Sequence, residues 1–170
     1  RTSIFRSQNA NAASPVWDTV KTFPTGTFAP QLRDIEFANK DTGYTCGSRS
    51  KVYRTIDGGN TWTDISFDTL APNNNINYTS LSVINGRTLY VGGSGAKLYK
   101  STNAGVTWTN LSLVPTTNPI TISTFTNIAN IVMNDENNGY INAGSYLLKT
   151  TDGWSTWTYD MPPQSFSNIS

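Results

Sequence analysis

The chain has 170 residues, a net charge of +1 and only 14% charged residues. So weak a field offers no source for the counterion release that drives nucleic-acid binding, and no apolar run approaches the roughly 18 residues of a membrane-spanning helix. Histidine is absent and Cys46 is the lone cysteine, which removes His-dependent triads, His-ligated metal sites and internal disulfides.

Four tryptophans, Trp17, Trp62, Trp108 and Trp157, recur at steps of 45, 46 and 49 residues, and a period in that range signals a stacked repeat. Taken along the chain, Ser14 to Val20 around Trp17 reads as the outermost strand of a unit whose turn motif is decayed or missing. Residues 1–29 are therefore assigned to that preceding unit and its linker. The first complete unit, residues 30–66, opens with an alternating strand at 34–39 carrying Ile35 and Phe37, followed by a turn cluster at 39–43. Tyr44-Thr-Cys-Gly47 and the phrase from Lys51 to Trp62 complete it. The second unit, residues 67–112, repeats the pattern with a strand at 80–85 (Leu81, Val83), a turn at Asn85-Gly86, then Tyr90 to Gly93 and Lys97 to Trp108. The third, residues 113–161, has a strand at 130–135 (Ile131, Met133), a turn at 134–139, then Tyr140 to Gly144 and Tyr146 to Trp157. Residues 162–170, after Pro162-Pro163, read as a linker to a further unit.

Each unit holds four short runs of period-2 alternation separated by turn residues, with no competing helical period. Four antiparallel strands every 40 to 50 residues or so describe a propeller blade. The expected fold class is therefore all-β: a β-propeller segment of three four-stranded antiparallel blades plus an orphan outer strand. Because a ring needs about four blades or more, the segment is expected to belong to a larger propeller of about seven. The expected partners are further blades of the same protein or another protein chain, with pairing of two copies as the runner-up.

Strands three and four of each unit are joined by Ser/Thr-x-Asp-x-Gly-x-Thr-Trp. Thr55, Asp57, Gly59, Thr61 and Trp62 match it fully. Ser101, Asn103, Gly105, Thr107 and Trp108 match with Asn for Asp, and Thr150, Asp152, Thr156 and Trp157 match around Trp154 in the Gly place. The residue types follow from a tight turn. A carboxylate accepts from turn amides, Gly permits positive φ, and Trp brings a large apolar area against the neighbouring sheet. These positions are read as structural, and no catalytic residue is assigned.

The longer phrase, Gly-Tyr-x-x-Gly-Ser followed by Tyr-Arg/Lys-Thr-x-Asp-Gly-Gly-x-Thr-Trp, resembles the Asp-box (BNR-type) repeat of photosystem II assembly/stability factor-like propellers. It is similar also to their relatives in secreted bacterial proteins of the type IX route. The resemblance implies a non-catalytic module for protein or surface binding and display, bacterial, and secreted, cell-surface or periplasmic. In the photosystem factors it implies partner binding through a basic patch; Arg33, Arg49, Arg54 and Arg87 are available here, at different positions of the repeats. Sialidases and xyloglucan-active endoglucanases share the Asp-box, so the alternative is a fragment of a glycoside hydrolase with carbohydrate as ligand. Such chemistry needs two carboxylates about 5–9.5 Å apart. Asp34 and Glu36, on one face of the first strand, are the candidate acidic site, weighed against a polar face lining a wet central channel. Trp154 is the candidate platform for a sugar or partner, and Cys46 a buried filler. No cofactor and no metal is expected.

Overall fold

The computed structural model describes residues 3–7, 9–23, 30–67, 76–113 and 126–160. Within them lie β1 (Ser3–Arg6), β2 (Asp18–Thr22), β3 (Leu32–Phe37), β4 (Gly43–Gly47), β5 (Val52–Thr55), β6 (Thr63–Asp64) and β7 (Tyr78–Val83). There follow β8 (Leu89–Gly93), β9 (Lys97–Ser101), β10 (Thr109–Ser112), β11 (Ile128–Met133), β12 (Gly139–Ala143), β13 (Tyr146–Thr150) and β14 (Thr158–Asp160). The only helical turn among the described residues is a single 3-10 turn at Ser94–Ala96. Strands β3 to β6, β7 to β10 and β11 to β14 form three four-stranded meanders, while among the described residues β1 and β2 pair only with each other. All pairings are antiparallel. The first strands β3, β7 and β11 lie side by side across the sheets, so each sheet is a blade with its first strand innermost.

Because strand side chains alternate, each blade has two faces. The register places Ile35, Thr45 and Tyr53 on one, turned upstream, and Glu36, Tyr44 and Arg54 on the other, turned downstream. The apolar core is accordingly built between blades. Tyr44, Cys46 and Val52 of the first blade meet Leu81, Val83, Leu89 and Val91 of the second. Tyr90 and Leu98 of the second meet Ile128, Ile131, Ile141 and Leu148 of the third. The two-stranded sheet packs Ile4 onto Tyr53 and Trp62 of the first blade. Cys46, fully buried, is the filler expected, and burial pushes its thiol pKa up.

At both ends of the described array apolar side chains are exposed. On the upstream face of the first blade Ile35 and Phe37 are 48% and 42% exposed, whereas the equivalent Leu81 and Ile131 are 2% and 3% exposed. On the downstream face of the third blade Val132, Tyr140 and Leu147 are also exposed.

Three sequence expectations shift. The inner strands begin and end two residues before 34–39, 80–85 and 130–135, because Asn39, Asn85 and Asp135 have already turned. Their side-chain oxygens accept from the amides two and three residues on, which ends the ladder. Trp62, Trp108 and Trp157 stand just before their outer strands rather than within them, Trp62 buried and the others half-buried. Around Trp17 the strand starts only at Asp18, and it has a partner, β1, that the sequence did not disclose. Of the linkers expected at residues 18–33, 67–79 and 113–129, residues 24–29, 68–75 and 114–125, together with residues 162–170, lie outside the described residues.

Close packing between blades demands small residues at strand two. A Cβ on Gly92 would lie 2.8 Å from Ile131 Cδ1 and 2.9 Å from Ile128 Cδ1. Gly92→Val is therefore expected to overpack this interface and to cost about 1–3 kcal/mol in denaturant unfolding. Adding Ile131→Ala in the same chain should recover part of the loss.

Candidate functional site

Each Asp-box is a closed set of local hydrogen bonds. In the first, Thr55 Oγ1 accepts from the amide of Gly59 at 2.8 Å and donates to Asp57 Oδ1 at 2.8 Å. Asp57 Oδ1 accepts from the Thr61 amide at 2.9 Å and its Oδ2 from Thr61 Oγ1 at 2.7 Å. Trp62 Nε1 closes the turn on the Gly59 carbonyl at 3.1 Å. Those bonds, led by that of the Thr61 amide, lower the Asp57 pKa to about 2. The second box repeats them through Ser101, Asn103, Gly105, Thr107 and Trp108, with one reversal: Asn103 Nδ2 donates to Thr107 Oγ1 at 2.8 Å. The third repeats them through Thr150, Asp152 and Thr156, and Thr156 holds the Asp152 pKa below its usual value.

A fourth box, missed in the sequence, joins β1 to β2. Ser7 Oγ donates to Asn9 Oδ1 at 3.0 Å, and that oxygen accepts from the Val16 amide at 2.9 Å, just before Trp17. The spacing from Asn9 to Val16 exceeds that from Asp57 to Thr61 by three residues, which hid the motif. Ser7 and Asn9, two apart as Thr55 and Asp57 are, were the available signal.

The turn needs two successive residues in the left-handed region. These are Gly58 and Gly59 at φ 67° and 88°, Ala104 and Gly105 at 62° and 86°, and Gly153 and Trp154 at 68° and 74°. Trp154 thus keeps the turn geometry despite its bulk. Its amide donates to Thr150 Oγ1 at 2.9 Å as Gly59 does to Thr55, and its ring is buried, with Nε1 3.1 Å from Met133 Sδ. Where the first blade sets Phe37 edge-on to Trp62, the third has the slimmer Met133, and the Trp154 ring fills the space. The expectation of Trp154 as a platform for sugar or partner is therefore corrected: at 3% exposure its ring offers no face to a ligand.

Asp34 and Glu36 are likewise engaged, but across blades. Asp34 Oδ2 accepts from the Leu81 amide at 2.9 Å and Glu36 Oε2 from the Val83 amide at 3.0 Å. One blade on, Ser80 Oγ accepts from the Ile131 amide at 3.0 Å and Ser82 Oγ from the Met133 amide at 3.1 Å. The four residues do one job: they satisfy amides on the edge of the next inner strand that has no strand partner. The side chains lean onto the neighbouring strand instead of lining a channel. Burial raises the pKa of Glu36, the Val83 amide opposing it and Asp34 adding to it.

A second cross-blade link comes from strand two. Tyr44 Oη donates to the Gly86 carbonyl at 2.6 Å and Tyr90 Oη to the Glu136 carbonyl at 3.0 Å. A cation of strand three lies by each ring: Arg54 by Tyr44, Lys100 by Tyr90 and Lys149 by Tyr140, at 6.0, 5.1 and 5.9 Å. The basic residues read from the sequence stand on different elements. Arg54 takes this inter-blade place, Arg33 bonds Gln31 Oε1, Arg87 sits in the turn after β7, and Arg49 in the opposite turn between β4 and β5. Four other carboxylates are also occupied. Asp41 pairs with Lys40 and Asp64 with Lys51. Asp135 holds its own turn, and Glu136 accepts from Asn85 and Thr88. Among the described residues no cluster of His, Cys, Asp or Glu could hold a metal ion.

Repeated four-stranded blades closed by Asp-box turns define a segment of a BNR-type β-propeller. The sequence profile described as Photosynthesis system II assembly factor YCF48 matches residues 9–125, more than half of the chain, and the chain belongs to that family. No curated protein sequence matches it. Among solved structures it is similar to YCF48 from Cyanidioschyzon merolae, with 24% identity over 82% of this chain and 42% of that one and a TM-score of 0.64. A YCF48 bound to a D1 peptide gives 18% identity over 76% and 39%, at a TM-score of 0.63. The GH74 enzyme of Niastella koreensis gives 23% over 77% and 22%, at 0.59. At these identities the likeness is one of fold, and the chain spans less than half the length of each of these proteins.

Two substitutions probe the boxes. The folded pKa of Asp57, about 2, lies below the ordinary 3.8, so its stabilisation is complete above pH of about 4 and is lost as pH falls through 2. Asp57→Asn should lower the thermal midpoint at neutral pH, and its gap from the parent protein should close between pH 5 and pH 2. Trp154→Gly relieves a left-handed L-residue worth about 1–2 kcal/mol but empties a site whose burial is worth about 3–5 kcal/mol. Chemical unfolding should show a net loss.

Proposed function

We propose that the chain is part of a non-catalytic propeller that binds a protein segment, in a bacterial protein exported to the periplasm or cell surface. The observation that carries the reading is the use of Asp34 and Glu36. These two carboxylates, which share a face of β3, are bonded to the backbone of the next blade, so neither is poised over a scissile bond. A fold relative with a bound D1 peptide supports a peptide-like ligand. The GH74 likeness supports the hydrolase alternative only through the shared fold. The surface offered is the rim where the turns after β3, β7 and β11 emerge, with Lys40, Asp41, Arg87 and Asn137 exposed. Low charge and a single buried cysteine support an exported setting.

The full-length protein decides between the two. It is expected to turn over neither xyloglucan nor sialosides, and to bind members of an extended-peptide array with binding weakened by Lys40→Glu with Arg87→Glu. Asp34→Asn with Glu36→Gln should leave that binding intact. Hydrolysis that drops about a hundredfold or more in the Asp34/Glu36 double variant, at an unchanged unfolding midpoint, would replace this reading with the enzyme.

A further inference from the structure

The dipeptide Asn-Gly occurs twice, at Asn85-Gly86 and Asn138-Gly139, and the fold treats the two copies differently. Gly139 opens β12 and stands between Met133 of β11 and Thr150 of β13, so its backbone is held within a sheet. Gly86 lies in the turn between β7 and β8, outside both strands, at φ 76°. Asn85 is exposed, and its Oδ1 accepts from the amides of Arg87 at 3.0 Å and Thr88 at 2.8 Å. Two donors on one carbonyl oxygen stabilise the negative charge that develops there when a nucleophile adds to the carbon. Its Nδ2 donates across the blade boundary to Glu136 Oε1 at 2.9 Å, an oxygen that also accepts from Thr88 Oγ1 at 3.1 Å.

We propose that Asn85 is a modification site, converted by water to a carboxylate that weakens the seam between the second and third blades. The Gly86 nitrogen, losing its proton to solvent base, bonds to Asn85 Cγ. The bond from Cγ to Nδ2 breaks, and that nitrogen leaves as ammonia, giving a cyclic imide. Water then opens the imide at either carbonyl, to aspartate or to isoaspartate. Glycine admits the ring because it has no Cβ to crowd the attacking nitrogen. The turn itself accommodates an aspartate: Asp135 occupies the same place after β11, accepting from the Asn137 and Asn138 amides. Glu136 does not accommodate it. Where Nδ2 donated, an oxygen faces the Glu136 carboxylate, so a hydrogen bond between blades becomes a contact of like charges. Isoaspartate adds a backbone carbon and displaces Gly86, whose carbonyl accepts from Tyr44 Oη and whose α-carbon packs toward Ala38 and Thr42 of the first blade.

Peptide mapping of the purified protein, incubated at pH of about 8, should find the change at Asn85 at least about tenfold faster than at Asn138, whose strand must first open. In denaturant the two rates should converge. Equal rates in the folded protein, or a faster Asn138, overturn the proposal. The seam is read by hydrogen exchange at Ile131 and Met133, whose amides Ser80 and Ser82 meet. In Asn85→Asp, with near-ultraviolet circular dichroism retained, these amides should exchange about fivefold faster than in the parent protein, while those of Leu81 and Val83 keep their rates. Glu136→Gln in the same chain should restore slow exchange, since its side-chain amide donates to the new carboxylate. Should Asn85→Asp fail to fold, the aged parent protein, separated by charge from its unmodified form, gives the same reading. Parent-like exchange in the modified protein, or a double variant as fast as the single one, overturns the proposal equally.

Discussion

The inner strand of each blade has a following strand on one side and none on the other, so one row of its amides has no ladder to join. Unsatisfied buried amides are expensive. In this chain the remedy comes from the neighbour: Asp34 and Glu36 for Leu81 and Val83, Ser80 and Ser82 for Ile131 and Met133. Everything else at the blade boundary is arranged around that contact. The inner strands must lie close enough for short side chains to bridge, which admits only small residues such as Cys46 and Gly92 on the strand behind. The tyrosines of strand two then reach the next turn with their hydroxyls. The apolar cores consequently lie between sheets, and no blade has a core of its own.

The chemistry of the bridging residue differs between the two boundaries. A serine hydroxyl accepts without a charge to bury. Glu36 accepts with one, and burial raises its pKa against the pull of the Val83 amide. The bridge made by Glu36 therefore depends on ionisation, and those made by Ser80 and Ser82 do not. The Asp-box carboxylates show the opposite case. Asp57 is surrounded by donors from its own turn while remaining in contact with water, and its charged form is the favoured one. Carboxylates of one chain are thus pushed in opposite directions by whether donors or burial dominate.

Much of the fold could be read in the sequence because its signals are local. The bonds of Thr55, Asp57, Gly59 and Thr61 close within a few residues, so the residue types and their spacing record the geometry directly, and three copies in register disclosed the blades. The fourth box escaped because three added residues separate Asn9 from Trp17 beyond the repeat spacing. The strand ends were misplaced although Asn39, Asn85 and Asp135 carried the turn signal, since alternation alone runs on through an Asx turn. The role of Asp34 and Glu36 was not legible. Their partners lie 47 residues away and are backbone amides, which leave no mark on side-chain identity. Trp154 was legible as an anomaly, but its burial depends on Met133 standing where the first blade has Phe37, a long-range fact.

The bridging contacts also have a sense. In the contacts of Asp34, Glu36, Ser80 and Ser82 the acceptor belongs to the earlier blade and the amide to the later one, so these bridges run in one direction along the array. A blade added in reverse would forfeit those four contacts. A duplicated stretch of coding sequence, however, delivers a new blade already facing the right way and already carrying the groups its neighbours lack. Growth and loss by whole blades is therefore the change this architecture accommodates with least disruption. Because serine and carboxylate serve equally as bridges, each copy is free to drift in charge once it has been made.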